Sequence, residues 1–105
     1  MTEEKINALA VAHWHLVWPK LADMYARALH SVRQINRENS TDVRMAVQLR
    51  IVNANTGAWV ELGGGNNGHD LISLVQWLAN DAPRAAAAAH LKDVLDSIGV
   101  MPKAA

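Results

Sequence analysis

Cysteine is absent from this chain of 105 residues. That excludes disulfides, a thiol nucleophile and any thiolate-built zinc or iron–sulfur site within these residues. Phenylalanine is absent too, so the aromatic content rests on four Trp and one Tyr. No apolar run approaches the roughly 18 residues that a membrane-spanning helix requires. Net charge is also missing: ten Lys and Arg balance ten Asp and Glu. Proteins that grip duplex phosphates gain affinity by releasing counterions and are usually basic. Charge balance therefore weighs against nucleic acid as the partner. The stretch MTEEKINALAVAHWHLVW places Glu3 and Glu4 ahead of its apolar part. An export signal carries basic residues there, so the expected address is the cytoplasm.

Half of the residues are apolar, enough to pack a core rather than remain disordered. The length implies one domain over residues 1–105, with a frayed tail at 101–105. Residues 3–17 read as a first helix. Thr2 caps it, and Glu3 and Glu4 suit its positive end. Ile6, Leu9, Ala10, His13, Leu16 and Val17 form one stripe at helical spacing, with Val11, Trp14 and Trp18 beside it. Pro19 disfavours helical geometry at Trp18 and suits the first position of a new helix, so a break is expected there. The spacing of Leu21, Tyr25, Ala28, Val32 and Ile35 predicts a second helix from Pro19 to Asn36.

The period then changes. Val43, Met45, Val47, Leu49 and Ile51 alternate with polar or small residues, which predicts a strand. The turn chemistry of NANTG and the segment AWVEL predict a return strand. Residues 42–54 also carry helix formers, which keeps a helical reading open. Asp70 is a fair N-cap for a third helix carrying Leu71, Leu74, Val75 and Leu78 on its apolar stripe. Asp81 is expected to cap a fourth helix, with Pro83 in its first turn. That helix contains the alanine run 85–89 and an apolar face of Leu91, Val94, Leu95 and Ile98, and Gly99 stops it. The expected architecture is α+β: four helices packed around a two-stranded antiparallel hairpin, in the order α-α-β-β-α-α. An all-α bundle is the alternative. A lone hairpin is marginal in water, which gives a physical motive for pairing two copies as a symmetric dimer.

The segment ELGGGNNGHDL contains Gly63-x-Gly65-x-x-Gly68, the spacing of a dinucleotide-binding loop. A Rossmann unit needs a second parallel strand after the helix, with an acid about 20 residues on. A further helix follows here instead. Neither Lys nor Ser/Thr follows Gly68, so the loop is no Walker motif. What remains is a strand-to-helix connector whose residues are candidates for an anion or ligand: Gly63, Gly64, Gly65, Asn66, Asn67, Gly68 and His69, with Trp59 nearby to stack on a ring. Asn67-Gly68 has the chemistry of a turn.

Metal and catalytic signals are weak. His13 and His15 are two apart and cannot chelate together on a helix. His30, His69 and His90 are scattered. No serine sits in a nucleophile elbow, and the neighbours His69 and Asp70 are the sole acid–base suggestion. No cofactor, metal site or catalytic residue is assigned. Residues 20–50 hold six basic side chains (Lys20, Arg27, Arg33, Arg37, Arg44 and Arg50) against three acids, a surplus of three. On the expected helix, Arg27, His30, Gln34 and Arg37 share one face, and Arg44 and Arg50 share the polar face of the expected strand. With Trp14, Trp18 and Val11, the side chains of Arg27, His30, Arg37, Arg44 and Arg50 are the candidate interface residues. The expected function is a small non-catalytic regulatory or inhibitory protein that occupies a protein partner, with a homodimer favoured. The second reading is a nucleotide or phosphate binder using residues 63–70. The third is weak nucleic-acid binding through the basic segment.

Overall fold

The computed structural model describes residues 2–25, 29–35 and 40–100, excepting the side chains of 29–35 and 40–46. The architecture is mixed α+β with four helices and a three-stranded antiparallel sheet. Along the chain come α1 (Glu3–Ala12), α2 (Trp14–Met24), β1 (Leu29–Ile35), β2 (Ser40–Ala46), β3 (Leu49–Asn53), β4 (Ala58–Glu61), β5 (Asn67–Gly68), α3 (Leu71–Leu78) and α4 (Arg84–Ser97). Strands β1 and β2 form a two-stranded antiparallel ribbon of their own, and β3, β4 and β5 form the sheet in that order.

Thr2 caps α1 as expected, accepting from the Lys5 N–H. The break falls at His13, however, not at Trp18–Pro19, and Pro19 lies inside α2. His13 departs from helical geometry (φ −117°, ψ 28°) while its carbonyl starts α2 by accepting from Leu16 and Val17. The core stripe survives the bend: Ile6 and Ala10 of α1 and Val17 and Leu21 of α2 are all buried. Leu16, read as part of that stripe, is instead exposed.

The second helix is shorter than its spacing implies. It ends at Met24, and Tyr25 turns to extended backbone (φ −121°, ψ 123°). Residues expected to be helical from 29 onward form β1. The cross-strand register supplies the reason. Val32 lies opposite Val43, and Arg33 opposite Asp42; apolar and opposite-charge pairs of this kind stabilise a ladder. Apolar residues three and four apart are here distributed over two strand faces, and pairing overrides a weak helical preference. Ala28, Arg27, Arg37 and the tail 101–105 lie outside the described residues.

The expected strand across 43–51 is two strands. β2 stops at Ala46 and β3 begins at Leu49, with buried Val47 between them. Alternation runs through that junction unchanged, so periodicity could not reveal it. The return strand is correct: β3 and β4 pair through Leu49–Glu61 and Ile51–Trp59, with a register shift between Ile51 and Asn53. Asn53 makes the turn by accepting through Oδ1 from the Asn55 and Thr56 N–H groups. Asn67 and Gly68, expected in a turn, form the third strand against β4.

The core is helical on one side and sheet on the other. Leu71, Ile72, Leu74, Val75 and Leu78 of α3 face Ala87, Leu91, Val94 and Leu95 of α4, with Trp59 of β4 closed in among them. Asp70 caps α3. Asp81 does not cap α4: it has a left-handed backbone (φ 63°), and Pro83 holds the cap position. Gly99 terminates α4 in the left-handed conformation (φ 77°).

One polar side chain ties three elements together. Asn7 of α1 donates through Nδ2 to the Thr56 carbonyl (2.7 Å) and accepts at Oδ1 from the Leu71 N–H (2.8 Å). It thus satisfies the first orphan donor of α3 and holds the β3–β4 turn. Removing one partner of such a bond costs about 1–3 kcal/mol. Asn7→Ala should lower unfolding free energy by about that amount in urea titration. An unchanged midpoint would show that water replaces both bonds without loss.

Candidate functional site

The glycine-rich segment joins β4 to α3, so its structure decides what it can hold. Trp59 on β4 is 1 % exposed, the largest fully buried side chain among the described residues. A buried indole N–H needs a partner, and it finds Ser73 Oγ at 3.2 Å. The same hydroxyl donates to the Asp70 carbonyl (2.6 Å) and accepts from the Asp70 N–H (3.3 Å). A serine hydroxyl offers one donor and two acceptor positions, and all three are engaged. Ser73 therefore has no free lone pair to present as a nucleophile.

Gly68 lies opposite Trp59 in the sheet. A Cβ at Gly68 would come within 2.3 Å of Ser73 Oγ and 2.5 Å of Trp59 Nε1. This glycine exists because the indole and the helix cap approach the backbone directly. Gly63 and Gly65 differ: both take left-handed backbone (φ 85° and 78°), with open space where a side chain would begin. Asn66 donates to Glu61 Oε1 at 2.7 Å, bracing the loop across its base. Asn67 and His69 are exposed.

The start of α3 is furnished by the protein itself. The Ser73 N–H is bonded to Asp70 Oδ1 (2.8 Å) and the Leu71 N–H to Asn7 Oδ1 (2.8 Å). An arriving anion would meet the Asp70 carboxylate at the position that the helix dipole favours for negative charge. Asp70 is also paired with Arg84, which reaches Glu3 Oε2 at 3.2 Å as well. Arg84 thereby links the N-terminal ends of α1, α3 and α4. Burial pushes the Asp70 carboxyl upward, but the Arg84 hydrogen bond, the Ser73 backbone N–H and the Arg84 charge outweigh it. The net pKa lies below the ordinary 3.8. The Asp70 carboxylate is engaged by the cap and by Arg84.

A second feature adjoins the first residue of α3. Val11, Trp14, Ile51, Ala54 and Leu71 line an open apolar groove of about 190 Å³. Trp14 stacks on Trp18 at 5.5 Å between ring centroids, at an interplanar angle of 25°. Both rings are half-buried, and Leu16 and Met24 of α2 are exposed nearby in sequence, at 42 % and 52 %. The four tryptophans thus divide into two pairs. Trp59 and Trp77 lie 5.4 Å apart; Trp14 lines the groove, Trp18 stacks on it, and both also pack against the core.

Three candidate interface residues therefore come together: Val11, Trp14 and Trp18. Those of the basic ones that are described lie on strands rather than on a helix face. His30 and Gln34 lie on one face of the β1–β2 ribbon, Arg44 lies opposite Ser31 on the other, and Arg50 belongs to the separate sheet. The residues that organise the site without having been singled out as site residues are Asn7, Ser73 and Arg84. The Asp70-x-x-Ser73 spacing was a usable sign for one of them, because it places a hydroxyl at the third position after a cap. Among the described residues, no group of three or more His, Asp or Glu side chains is arranged to hold a metal ion, and no helix is long and apolar enough to cross a membrane. No protein-family model matches the chain, and neither does any curated protein or solved structure.

Two measurements test this account. Gly68→Ala should destabilise the fold by about 1–3 kcal/mol, the usual cost of overpacking. Gly63→Ala and Gly65→Ala should each cost only about 1 kcal/mol, from left-handed strain. Equal losses at all three positions would contradict the close approach at Gly68. For Asp70 the sign follows from its lowered folded pKa. Its contribution is present above the unfolded value near 3.8 and is lost as pH falls through the folded one. The melting deficit of Asp70→Asn relative to the parent should be largest near neutral pH and shrink as the pH falls below the ordinary carboxylate value of 3.8. A deficit that persists undiminished at low pH would assign it to cap geometry alone.

Proposed function

We propose that this chain is a small non-catalytic binding protein that occupies a protein partner, regulating or inhibiting it through the face formed by α1, α2 and the β3–β4 turn. The observation that carries this reading is the apolar groove lined by Val11, Trp14, Ile51, Ala54 and Leu71, with Trp18 stacked on Trp14. Small-molecule sites combine apolar walls with a few convergent polar groups that fix orientation. This groove is lined by apolar side chains alone, which suits an apolar side chain from a protein better than a phosphorylated ligand. Half-buried tryptophans beside a concave apolar surface have the anatomy of an interface hot spot.

The nucleotide reading has weaker support. It needs free N–H donors at the glycine-rich loop and the start of α3, and two of those donors are taken by Asn7 and Asp70.

The reading is tested with Trp14→Asp, whose side chain borders the groove without belonging to the fully buried set. The parent chain, used as bait in its native host, should retain a defined protein that the variant loses by at least tenfold, with the variant's circular dichroism unchanged. The purified partner should shift the parent's tryptophan emission. Equal retention by both chains would remove the groove from the interface. A melting shift with nucleotides that is lost in Gly65→Val would favour the ligand-binding reading instead.

A further inference from the structure

The β1–β2 ribbon uses none of the groove residues, and a two-stranded ribbon alone is marginal in water. Among the described residues its strands hydrogen-bond only to each other, so the outer edge of β2 has no strand partner. Edges of this kind are normally blunted by proline, by very short strands, by bulges or by charged side chains. β2 reads Ser-Thr-Asp-Val-Arg-Met-Ala over seven residues, without proline, and its two charges are of opposite sign and flank Val43 on either side.

The sequence of β2 is self-complementary about its centre. An antiparallel two-fold pairing centred on Val43 sets Asp42 opposite Arg44 of the second copy, and Arg44 opposite Asp42 of that copy. Thr41 faces Met45, and Ser40 faces Ala46. The intrachain register extends each row. Arg33 lies opposite Asp42, Ser31 opposite Arg44 and Val32 opposite Val43. Across the four strands, one face then carries two rows of Arg33–Asp42–Arg44–Ser31, read in opposite directions. The other carries a central row of four valines, two from each copy. Neighbouring registers lack this match. Centring on Asp42 or Arg44 sets like charges opposite each other, which is unfavourable. A slip to an odd register crosses the valine face with the charged face. Pairing through the β1 edge about Val32 sets Arg33 opposite Ser31 and forms no charge pair.

We propose that two copies of this chain associate through the β2 edge, in an antiparallel register centred on Val43, to form a four-stranded β1–β2–β2–β1 sheet. This goes beyond the groove reading and does not depend on it. The association is isologous, the symmetry of most soluble dimers, and it leaves the α1–α2 face of each copy outside the sheet contact.

The absence of cysteine makes a direct test clean. Directly opposed residues of antiparallel strands lie about 4.5–5.5 Å apart at Cα, within the range that a disulfide spans. Val43→Cys sits on the two-fold axis and should give a covalent dimer under mild oxidation. Val32→Cys, separated from its mate by two intervening strands, should not. Crosslinking by Val32→Cys alone would assign the β1 edge and overturn the proposal, as would a monomeric parent mass in light scattering at 100-fold dilution series starting from about 100 µM. Arg44→Asp leaves Ser31 as its intrachain neighbour and should weaken dimerisation about tenfold or more, through two opposed acidic pairs. Mixing it with Asp42→Arg should restore a heterodimer, because both rows again pair opposite charges. Unchanged dimerisation in both single variants would overturn the register. Groove binding by Trp14→Asp is read separately, so failure of one proposal is not confused with failure of the other.

Discussion

The structure depends on burying one indole without stranding its N–H. Trp59 is the largest fully enclosed side chain among the described residues, and truncating a buried Trp typically costs about 3–5 kcal/mol. Enclosure is favourable only if the ring nitrogen keeps a partner, and Ser73 supplies it. Ser73 can do so because it stands in the capping box of α3, where its hydroxyl is already oriented by Asp70. The cap, the helix and the core tryptophan are therefore one device. Gly68 belongs to it as well, since any side chain there would collide with both the indole and the hydroxyl.

This arrangement explains the glycine spacing in chemical terms. A glycine lets another group approach the backbone, and in a dinucleotide loop that group is a phosphate. Here it is the protein's own tryptophan. Gly68 admits the ring, while Gly63 and Gly65 supply left-handed turns. Asp70 brings a negative charge to the helix start, where a bound anion would otherwise sit. Arg84 then compensates that charge and draws in Glu3, so the N-terminal ends of three helices share one electrostatic cluster.

The helical parts were legible where residues obey one period and end in recognisable caps, though the break at His13 and the Pro83 cap were not. Leu71, Leu74, Val75 and Leu78 are buried together, Thr2 and Asp70 cap, and Gly99 stops α4. The ribbon was not legible because two periods coexist in it. Leu21, Tyr25, Val32 and Ile35 are spaced for a helix, yet Val32 and Ile35 find their partners across a ladder, in residues 40–43. The split of 43–51 was hidden for the opposite reason: strand alternation continues unbroken from β2 through Val47 into β3. Within the site, Val11, Trp14 and Trp18 could be listed from their helical spacing. Ile51 and Ala54 could not, since they reach the groove only through the β3–β4 turn that Asn7 holds.

The two exposed features differ in what they require of the fold. The groove is borrowed from the core: Leu71 is wholly buried yet lines its wall, and Val11 closes on Gly57, where a Cβ would lie 2.8 Å from the valine methyl. Its shape is therefore fixed by the same contacts that hold α1, the turn and α3 together, and such a surface binds with little ordering cost. The ribbon has no comparable support from strand neighbours. Among the described residues its strands pair only with each other, and the proposed dimer would add a second set of cross-strand pairs, so that its stability would rise with concentration. The groove and the proposed dimer edge can thus coexist in one small chain, because they draw on different contacts.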